Sequence, residues 1–154
     1  MLRWLWLSLL VVAVDQGSKQ LAEATLQLYE RIPLLPVFNL TLAYNRGAAF
    51  SFLSDQGGWQ RWLFTGLAAG VVLVLLLWLS RLRSQERLLA ASLALIVGGA
   101  LGNLIDRLLW GHVIDFLDLH YGGWHWPAFN LADSAIVVGV GLFLFDSLRQ
   151  GRRS

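Results

Sequence analysis

Four long apolar segments alternate with more polar connections along the 154 residues of this chain. The predicted segments cover residues 4–24, 62–80, 88–107 and 131–148, and the second is interrupted only by Thr65 and glycines. A helix needs about 20 residues to cross the hydrocarbon core of a bilayer, and these segments are of about that length. The pattern therefore predicts an all-α membrane fold with four transmembrane helices, organised as a single integral membrane domain over residues 1–154.

The connections after the first and third segments are the longer ones. Residues 38–52 are rich in aromatic and polar side chains, and alternation around Val113 to Asp118 indicates an extended segment. We therefore expect a small, β-containing subdomain at one face of the helices. The aromatic stretch from Tyr44 to Phe52 is a candidate to close over a ligand and exclude water.

Composition supports the membrane interpretation. Hydrophobic residues make up 56% of the chain and charged residues 14%, which is far from the composition of soluble domains. Eight tryptophans are consistent with membrane interfaces. The absence of cysteine excludes disulfides and thiol catalysis, and a net charge of +2 gives no reason to expect nucleic acid as a partner.

The arginines predict the orientation of the helices. Seven of the basic residues fall in three short segments, which are Arg3 before the first helix, Arg81, Arg83 and Arg87 between the second and third, and Arg149, Arg152 and Arg153 after the fourth. The positive-inside rule then puts both termini in the cytoplasm and the loops over residues 26–60 and 107–130 outside. No cleavage site of the A-x-A type follows the first segment, so we expect it to be retained as a helix.

Several ionisable or amide residues lie inside or at the ends of the apolar segments. Burying a charge there costs at least about 2.5–3.5 kcal/mol, so such residues are functional candidates. Asp15 and Lys19 are four residues apart on one helix face and can form a structural salt bridge. Asn103, Asp106 and Arg107 close the third segment, where the arginine can anchor at the interface or brace a carboxylate.

Asp115 and Asp133 are the most interesting carboxyls because both flank one short outer loop. Brought close together, two such groups share a proton; one then activates water while the other polarises a scissile carbonyl. Asp133 alone could simply stabilise the start of the fourth helix, as could Asn130 as its N-cap. Asp118 lies three residues after Asp115, on the opposite face of an extended segment.

Other catalytic chemistries are less well supported by the sequence. His112, His120 and His125 lie near Asp115 and Asp118, but no spacing defines a zinc site. Ser134, Ser51 and Ser54 are not in a G-x-S-x-G elbow. We therefore favour carboxyl chemistry over a metal site or a serine nucleophile.

Five motifs, in order, resemble those of the bacterial lipoprotein signal peptidases, also called signal peptidase II. They are Asp15-Gln-Gly-Ser-Lys19, Asn45-Arg-Gly-Ala-Ala-Phe-Ser51, Gly98-Gly-Ala-Leu-Gly-Asn-Leu-Ile-Asp-Arg107, Val113-Ile-Asp115-Phe116 and Phe129-Asn-Leu-Ala-Asp133. Any one of them is weak, whereas five in the right order with the right helices between them are specific.

The resemblance implies an aspartyl endopeptidase that removes the signal peptide from diacylglyceryl-modified prolipoproteins, cleaving before the lipidated cysteine. It maps the catalytic aspartates onto Asp115 and Asp133. It maps supporting or substrate-binding positions onto Asn45, Gly47, Asn103, Asp106, Arg107 and Asn130, with Asp15 and Lys19 in the first helix. It also implies that no metal or cofactor is needed.

The expected partners are the lipid-modified prolipoprotein and membrane lipid, with the protein a monomer in the bacterial inner membrane and its active site near the outer face. Two alternatives belong to other classes. A small transporter or channel would need polar residues across the whole bilayer, whereas those inside the segments cluster toward the outer half, with Asp146 as an exception. A non-catalytic assembly factor would tolerate amide substitution of both Asp115 and Asp133.

Overall fold

Four long helices and one small sheet make up the computed structural model, which describes residues 1–47 and 59–151. After a short 3₁₀ turn at Leu2–Trp4, the helices are α1 (Leu5–Thr25), α2 (Trp59–Arg81), α3 (Arg87–Leu109) and α4 (Leu131–Gly151). Each begins and ends within one helical turn of a segment predicted from the sequence. The aromatic residues proposed to close over a ligand at positions 48–52 lie outside the described residues.

Three of these helices are long and apolar enough to cross a membrane, within the part of the chain that the structure describes. They are Arg61–Arg81, Arg87–Leu109 and Leu131–Gly151, with mean hydropathies of 2.4, 2.1 and 1.8. Helix α1 is of similar length, but Asp15, Gln16 and Lys19 make its second half polar. By length and composition these three helices agree with the predicted helical membrane fold, and α1 buries an ion pair of its own, Asp15 and Lys19.

Helix α3 is the centre of the helical bundle. In its apolar 18-residue stretch, 56% of α3 is buried, compared with 11% for α2 and 17% for α4. Its partners approach closely because α3 presents small residues to them. A Cβ on Gly98 would lie 2.9 Å from the Ser8 carbonyl oxygen of α1, and one on Gly99 would overlap the Ala132 carbonyl oxygen of α4.

Replacing Gly99 with alanine should therefore lower the free energy of unfolding by about 1–3 kcal/mol, because the backbone of α4 must move to admit the methyl group. Gly141→Ala is the matched control, since nothing lies within 4 Å of a Cβ at that position of α4. Thermal unfolding of both variants in detergent measures the difference. Equal stability of the two variants would contradict this account of the α3–α4 contact.

The sheet has four antiparallel strands in the order β1-β2-β3-β4. They are β1 (Arg31–Leu35), β2 (Phe38–Asn45), β3 (Val113–Tyr121) and β4 (Trp124–His125). The predicted extended segment around Asp115 is β3, and β2 begins where the aromatic-rich stretch was predicted to form strands. The sheet is attached to the end of α1 by an apolar cluster of Ala22, Leu26, Leu42, Ile114 and Phe116.

The pairing of β2 with β3 determines which side chains meet at the helices. Asn45 pairs with Val113 and Ala43 with Asp115, after a shift in register between Leu40 and Ala43. This antiparallel register brings the end of β2 beside the start of β3, directly after α3. Residues 70 positions apart along the chain therefore become neighbours.

Candidate carboxyl-pair site

Asp115 and Asp133 lie on two different elements that meet at the end of the bundle. Asp115 is on β3 and is only 2% exposed, whereas Asp133 is in the first turn of α4 and partly exposed. Fully buried Asn130 separates them along the chain and binds both. Its side-chain amide donates to Asp115 Oδ1 at 2.7 Å, and its backbone N–H donates to Asp133 Oδ2 at 3.3 Å.

The orientation of the Asn130 amide follows from its neighbours. Its Oδ1 accepts a hydrogen bond from the backbone N–H of Asp133 at 2.9 Å, so Asn130 is the N-cap that the sequence predicted as one alternative. Because that N–H can only donate, the amide oxygen must face it and the NH₂ group must face Asp115. Capping the helix and binding the first carboxyl are therefore one arrangement of one side chain.

Asn103 of α3 holds the second carboxyl in the same way. Its Nδ2 donates to Asp133 Oδ1 at 2.7 Å. Its Oδ1 accepts from Lys19 Nζ at 3.0 Å and from Asn130 Nδ2 at 3.1 Å. Both of those nitrogens are donors, so the oxygen of Asn103 faces them and its NH₂ group faces Asp133.

Asn45 completes the set of amides around the pair. Its Nδ2 donates to Asp115 Oδ2 at 3.1 Å, while its Oδ1 accepts from the Gly47 N–H at 2.9 Å. Gly47 has a φ of +95°, a backbone conformation that L residues with a side chain rarely adopt. Each of the four oxygens of Asp115 and Asp133 thus accepts a hydrogen bond from an asparagine.

Burial and charge act together on Asp115. Desolvation, followed by the nearby charge of Asp133, raises the pKa of the Asp115 carboxyl from 3.8 to about 7, against opposing hydrogen bonds from Asn45 and Asn130. At neutral pH and below, Asp115 is therefore able to hold a proton. A protonated carboxyl beside a second carboxyl is the arrangement that acid–base hydrolysis of an amide needs.

Lys19 is fully buried beneath this network and pairs with two carboxylates. Its Nζ lies 2.8 Å from Asp15 Oδ2 and 2.7 Å from Asp106 Oδ2. The i, i+4 pairing of Asp15 with Lys19 follows the predicted spacing. Asp15 also accepts the Ala132 N–H of α4, and Asp106 accepts the Ile114 N–H of β3, so this cluster joins three helices to the sheet.

Arg107 extends the positive charge to the pair itself. Its guanidinium interacts electrostatically with Asp133, Asp115 and Asp106. Its hydrogen bond, at 3.4 Å, goes to the Asn103 carbonyl oxygen one turn earlier on α3. Its positive charge therefore acts on both carboxyls and on charge that develops between them.

Asp118 belongs to a different cluster, as the alternation along β3 predicts. Its carboxylate accepts from Asn39 Nδ2 at 2.8 Å and contacts His125 Nδ1 at 2.9 Å, and these bonds hold the pKa of Asp118 below its usual value despite burial. His112 instead stacks on Tyr44. Within residues 1–47 and 59–151, no group of three or more His, Asp or Glu is close enough to hold a metal ion.

The structure also identifies contributors for which the sequence analysis proposed no role. Gln16 donates to Asp106 Oδ1 at 2.7 Å and to the Gly102 carbonyl oxygen at 3.2 Å, which ties α1 to α3. Its position inside the Asp15–Lys19 motif was the available signal. Arg61 and Phe64 of α2 also contact this end of α3, and no motif marked them.

An apolar cavity of about 410 Å³ opens beside Asp133. Leu119, Trp126, Phe129 and Val137 line it, and Asp133 and Ser134 are its polar residues. The wall of this cavity combines the sheet with α4. A ligand in it would therefore have an apolar part against these side chains and a polar part near the carboxyl pair.

A helical membrane protein with a small sheet and a carboxyl pair where the sheet meets the helices is the class that these features define. A family model described as signal peptidase (SPase) II matches residues 7–149. The chain belongs to the signal peptidase II family, a family of proteases.

Relatives and solved structures agree with this assignment. The chain is 58% identical to a lipoprotein signal peptidase of Burkholderia pseudomallei over 97% of this chain and 89% of the relative. It is 54% identical to one of Yersinia enterocolitica over 94% and 86%. A bacterial membrane enzyme solved by the in meso method at 2.3 Å is similar, with a TM-score of 0.86 and 28% identity over 99% of this chain and 91% of that one.

Proposed function

We propose that this protein cleaves the signal peptide from prolipoproteins whose cysteine carries diacylglycerol, on the amino-terminal side of that cysteine, with Asp115 and Asp133 as the catalytic pair. The observation that supports this most is that Asn130 bridges the two carboxyls. In the same arrangement, the pKa of the Asp115 carboxyl is raised to about 7. The similarity to lipoprotein signal peptidases supplies the substrate class. The chemistry then follows from the pair.

In the proposed mechanism, the pair carries one proton, which Asp115 holds. Asp115 transfers it to the scissile carbonyl oxygen, while Asp133 accepts a proton from a water molecule that attacks the carbonyl carbon. A new C–O bond forms and the carbonyl becomes a tetrahedral diol. Proton transfer from Asp133 to the amide nitrogen then lets the C–N bond break, and Asp115 recovers its proton as the new carboxyl group forms.

The surrounding residues support each step. Asn103 and Asn130 hold the carboxyls with their NH₂ groups, and Arg107 stabilises negative charge that develops on the reacting oxygens. Asn45 positions the second oxygen of Asp115. None of these steps draws on a metal or an organic cofactor.

The apolar cavity beside Asp133 supports a substrate that carries lipid. Its walls are almost entirely apolar, and the adjacent helix α4 is largely exposed apolar surface. A diacylglyceryl group or an apolar signal-peptide segment can occupy such a cavity while its amide bond reaches the carboxyls. Binding from the bilayer would keep the substrate in lipid throughout.

The proposal includes a membrane arrangement. All four helices span the inner membrane, α1 with its charges buried against α3, and the protein acts as a monomer. The site is at the end of α3 and the start of α4, at the opposite end of these helices from Arg87, which begins α3, and Arg149, in the last turn of α4. With the arginines in the cytoplasm, the active site faces outward.

The test is cleavage of a synthetic diacylglyceryl lipobox peptide by the purified protein in detergent with a metal chelator. Mass spectrometry should find a new amino terminus at the lipidated cysteine. The same peptide without lipid is the control, and it should be cleaved far less. Absence of cleavage by folded protein would show that the proposal is wrong.

The pKa of Asp115 also predicts a pH profile. The mechanism needs its protonated form, so kcat/KM should be highest below about pH 7 and fall as the pH rises through that value. The value of kcat/KM falls with rising pH because deprotonation of Asp115 removes the proton donor to the carbonyl. A profile that instead rises through pH 7 would assign Asp115 the role of a base.

A further inference from the structure

Phe64 of α2 contacts two separate parts of the site, the turn at Gly47 and the side chain of Arg107. Its ring is so close to Gly47 that a Cβ there would lie 2.5 Å from Phe64 Cδ2 and 2.6 Å from Cε2. The guanidinium carbon of Arg107 lies over the same ring, 5.8 Å from its centroid. One side chain thus contacts the turn after β2 and the arginine at the end of α3.

The turn at Gly47 controls the orientation of Asn45, which binds Asp115 of the carboxyl pair. The N–H of Gly47 faces Asn45 Oδ1, and this directs Asn45 Nδ2 toward Asp115. If Gly47 moved away, the Asn45 amide would lose the donor that sets its orientation. The ring of Phe64 limits that movement, because it occupies the space beside the glycine.

The position of Phe64 is itself fixed by the preceding turn of α2. Arg61 Nε donates to the Arg107 carbonyl oxygen at 2.7 Å, and Arg61 Nη2 donates to the Leu108 carbonyl oxygen at 2.6 Å. These are two of the last carbonyl groups of α3, which have no partner within that helix. The start of α2 is thereby attached to the end of α3, although most of α2 presents its surface outward.

We infer that Phe64 is a positioning residue for the cleavage reaction: seated by Arg61, it holds Gly47 and Arg107 so that Asn45 and the guanidinium both face the carboxyl pair. This inference rests on the proposed function. Phe64 acts through Asn45 and Arg107 and needs no contact with the substrate. The close approach of the ring also gives Gly47 a reason to be glycine in addition to its positive φ.

A double-mutant cycle tests the inference on the lipid-modified peptide. The proteins are wild type, Gly47→Ala, Phe64→Ala and the double variant, with Phe145→Ala as a matched control because that side chain is exposed on α4. Phe64→Ala should lower kcat/KM about ten- to a hundredfold, mainly through kcat, as expected when reacting groups are misplaced by about 1 Å. Phe145→Ala should retain wild-type kinetics.

The loss in the double variant should be smaller than the product of the two single losses. A small side chain at position 64 leaves room for the new methyl group at position 47, so the substitutions are not independent. Losses that multiply, or a Phe64→Ala protein with wild-type kcat/KM, would overturn the inference. If wild type itself cleaves nothing, the proposed function fails first.

The pH profile separates positioning from a general loss of stability. The Asn45 hydrogen bond lowers the pKa of Asp115, so loosening it in a Phe64 variant should move the fall in kcat/KM to higher pH. Phe64→Leu serves here if Phe64→Ala unfolds, since it keeps most of the bulk. A fall at the wild-type pH in a variant with reduced kcat would indicate a structural role only and contradict the inference.

Discussion

Asp115→Asn and Asp133→Asn should each lower kcat/KM for the lipid-modified peptide by about a thousandfold or more. Neither amide can do the work of the carboxyl that it replaces. At position 115 the variant cannot pass a proton to the substrate and take it back. At position 133 it cannot accept a proton from water.

The two substitutions should leave the fold intact because the amides are similar in shape to the carboxyls. Asp115 is buried and costly to ionise, so an amide there removes a desolvation penalty. However, an NH₂ group facing Asn45 or Asn130 would lose one hydrogen bond. We therefore expect near wild-type thermal unfolding together with the loss of cleavage.

Asp118→Asn is the matched control for both. It makes the same chemical change on the same strand, three residues beyond Asp115, in a carboxylate that is equally buried but binds Asn39 and His125. Its kcat/KM should stay within a few-fold of wild type. Cleavage that survives at both 115 and 133, or that is lost equally in Asp118→Asn, would contradict the assignment of the catalytic pair.

Lys19→Met should be the most destabilising single change in the chain, with a decrease in the free energy of unfolding of about 3–5 kcal/mol. Lys19 and Asp15 are 1% and 0% exposed, and the Asp106 side chain is 1% exposed. Methionine leaves both carboxylates buried without a counter-charge. It also removes one of the two donors that orient the Asn103 amide toward Asp133, the other being Asn130 Nδ2.

Neutralising the whole cluster should recover much of that loss. The triple variant Asp15→Asn, Lys19→Met and Asp106→Asn carries no charge at these positions, so no uncompensated carboxylate is buried. Arg149→Met at an exposed position serves as the control for removing one positive charge. Thermal unfolding in detergent measures all three.

A Lys19→Met protein as stable as wild type would show that the carboxylates are not held by Lys19. Recovery of stability without full recovery of cleavage is also expected in the triple variant, because Asn103 keeps the Asn130 donor but lacks the Lys19 donor. Full recovery of both would mean that the lysine acts through charge balance alone and not through Asn103.

The helices of this protein could be predicted from sequence because membrane segments are local. Runs of apolar residues specify where α2, α3 and α4 lie, since a backbone in lipid must satisfy its hydrogen bonds within each helix. α1 was predicted in the same way although Asp15 and Lys19 interrupt it. The small sheet was predicted only in outline, because its pairing joins β2 to β3, whose contacting residues Asn45 and Asp115 are 70 positions apart.

The sequence predicted which residues belong to the candidate site but not how they contact one another. Order and spacing of five motifs identified Asp115 and Asp133, and the family comparison supports the resemblance on which they were chosen. No spacing predicted that Asn130 would cap α4 and bind Asp115 at the same time. That depends on a turn in which three elements meet.

Phe64 and Arg61 illustrate contacts that the sequence did not predict. In the sequence they are an aromatic and a basic residue near the start of an apolar helix, where such residues are common at membrane interfaces. Only packing of α2 against the end of α3 gives Arg61 two carbonyl groups to bind and puts Phe64 against Gly47.

What the sequence by itself determined was a helical membrane protein, its family and the set of charged and amide residues available to its site. The tertiary structure alone decided which way each asparagine amide points, that Lys19 lies between two carboxylates, and that burial and the charge of Asp133 raise the pKa of Asp115 to about 7. The physical reason is the separation along the chain of the residues on which each property depends. Insertion into lipid depends on each segment separately, whereas hydrogen-bond direction and burial depend on residues that only folding brings together.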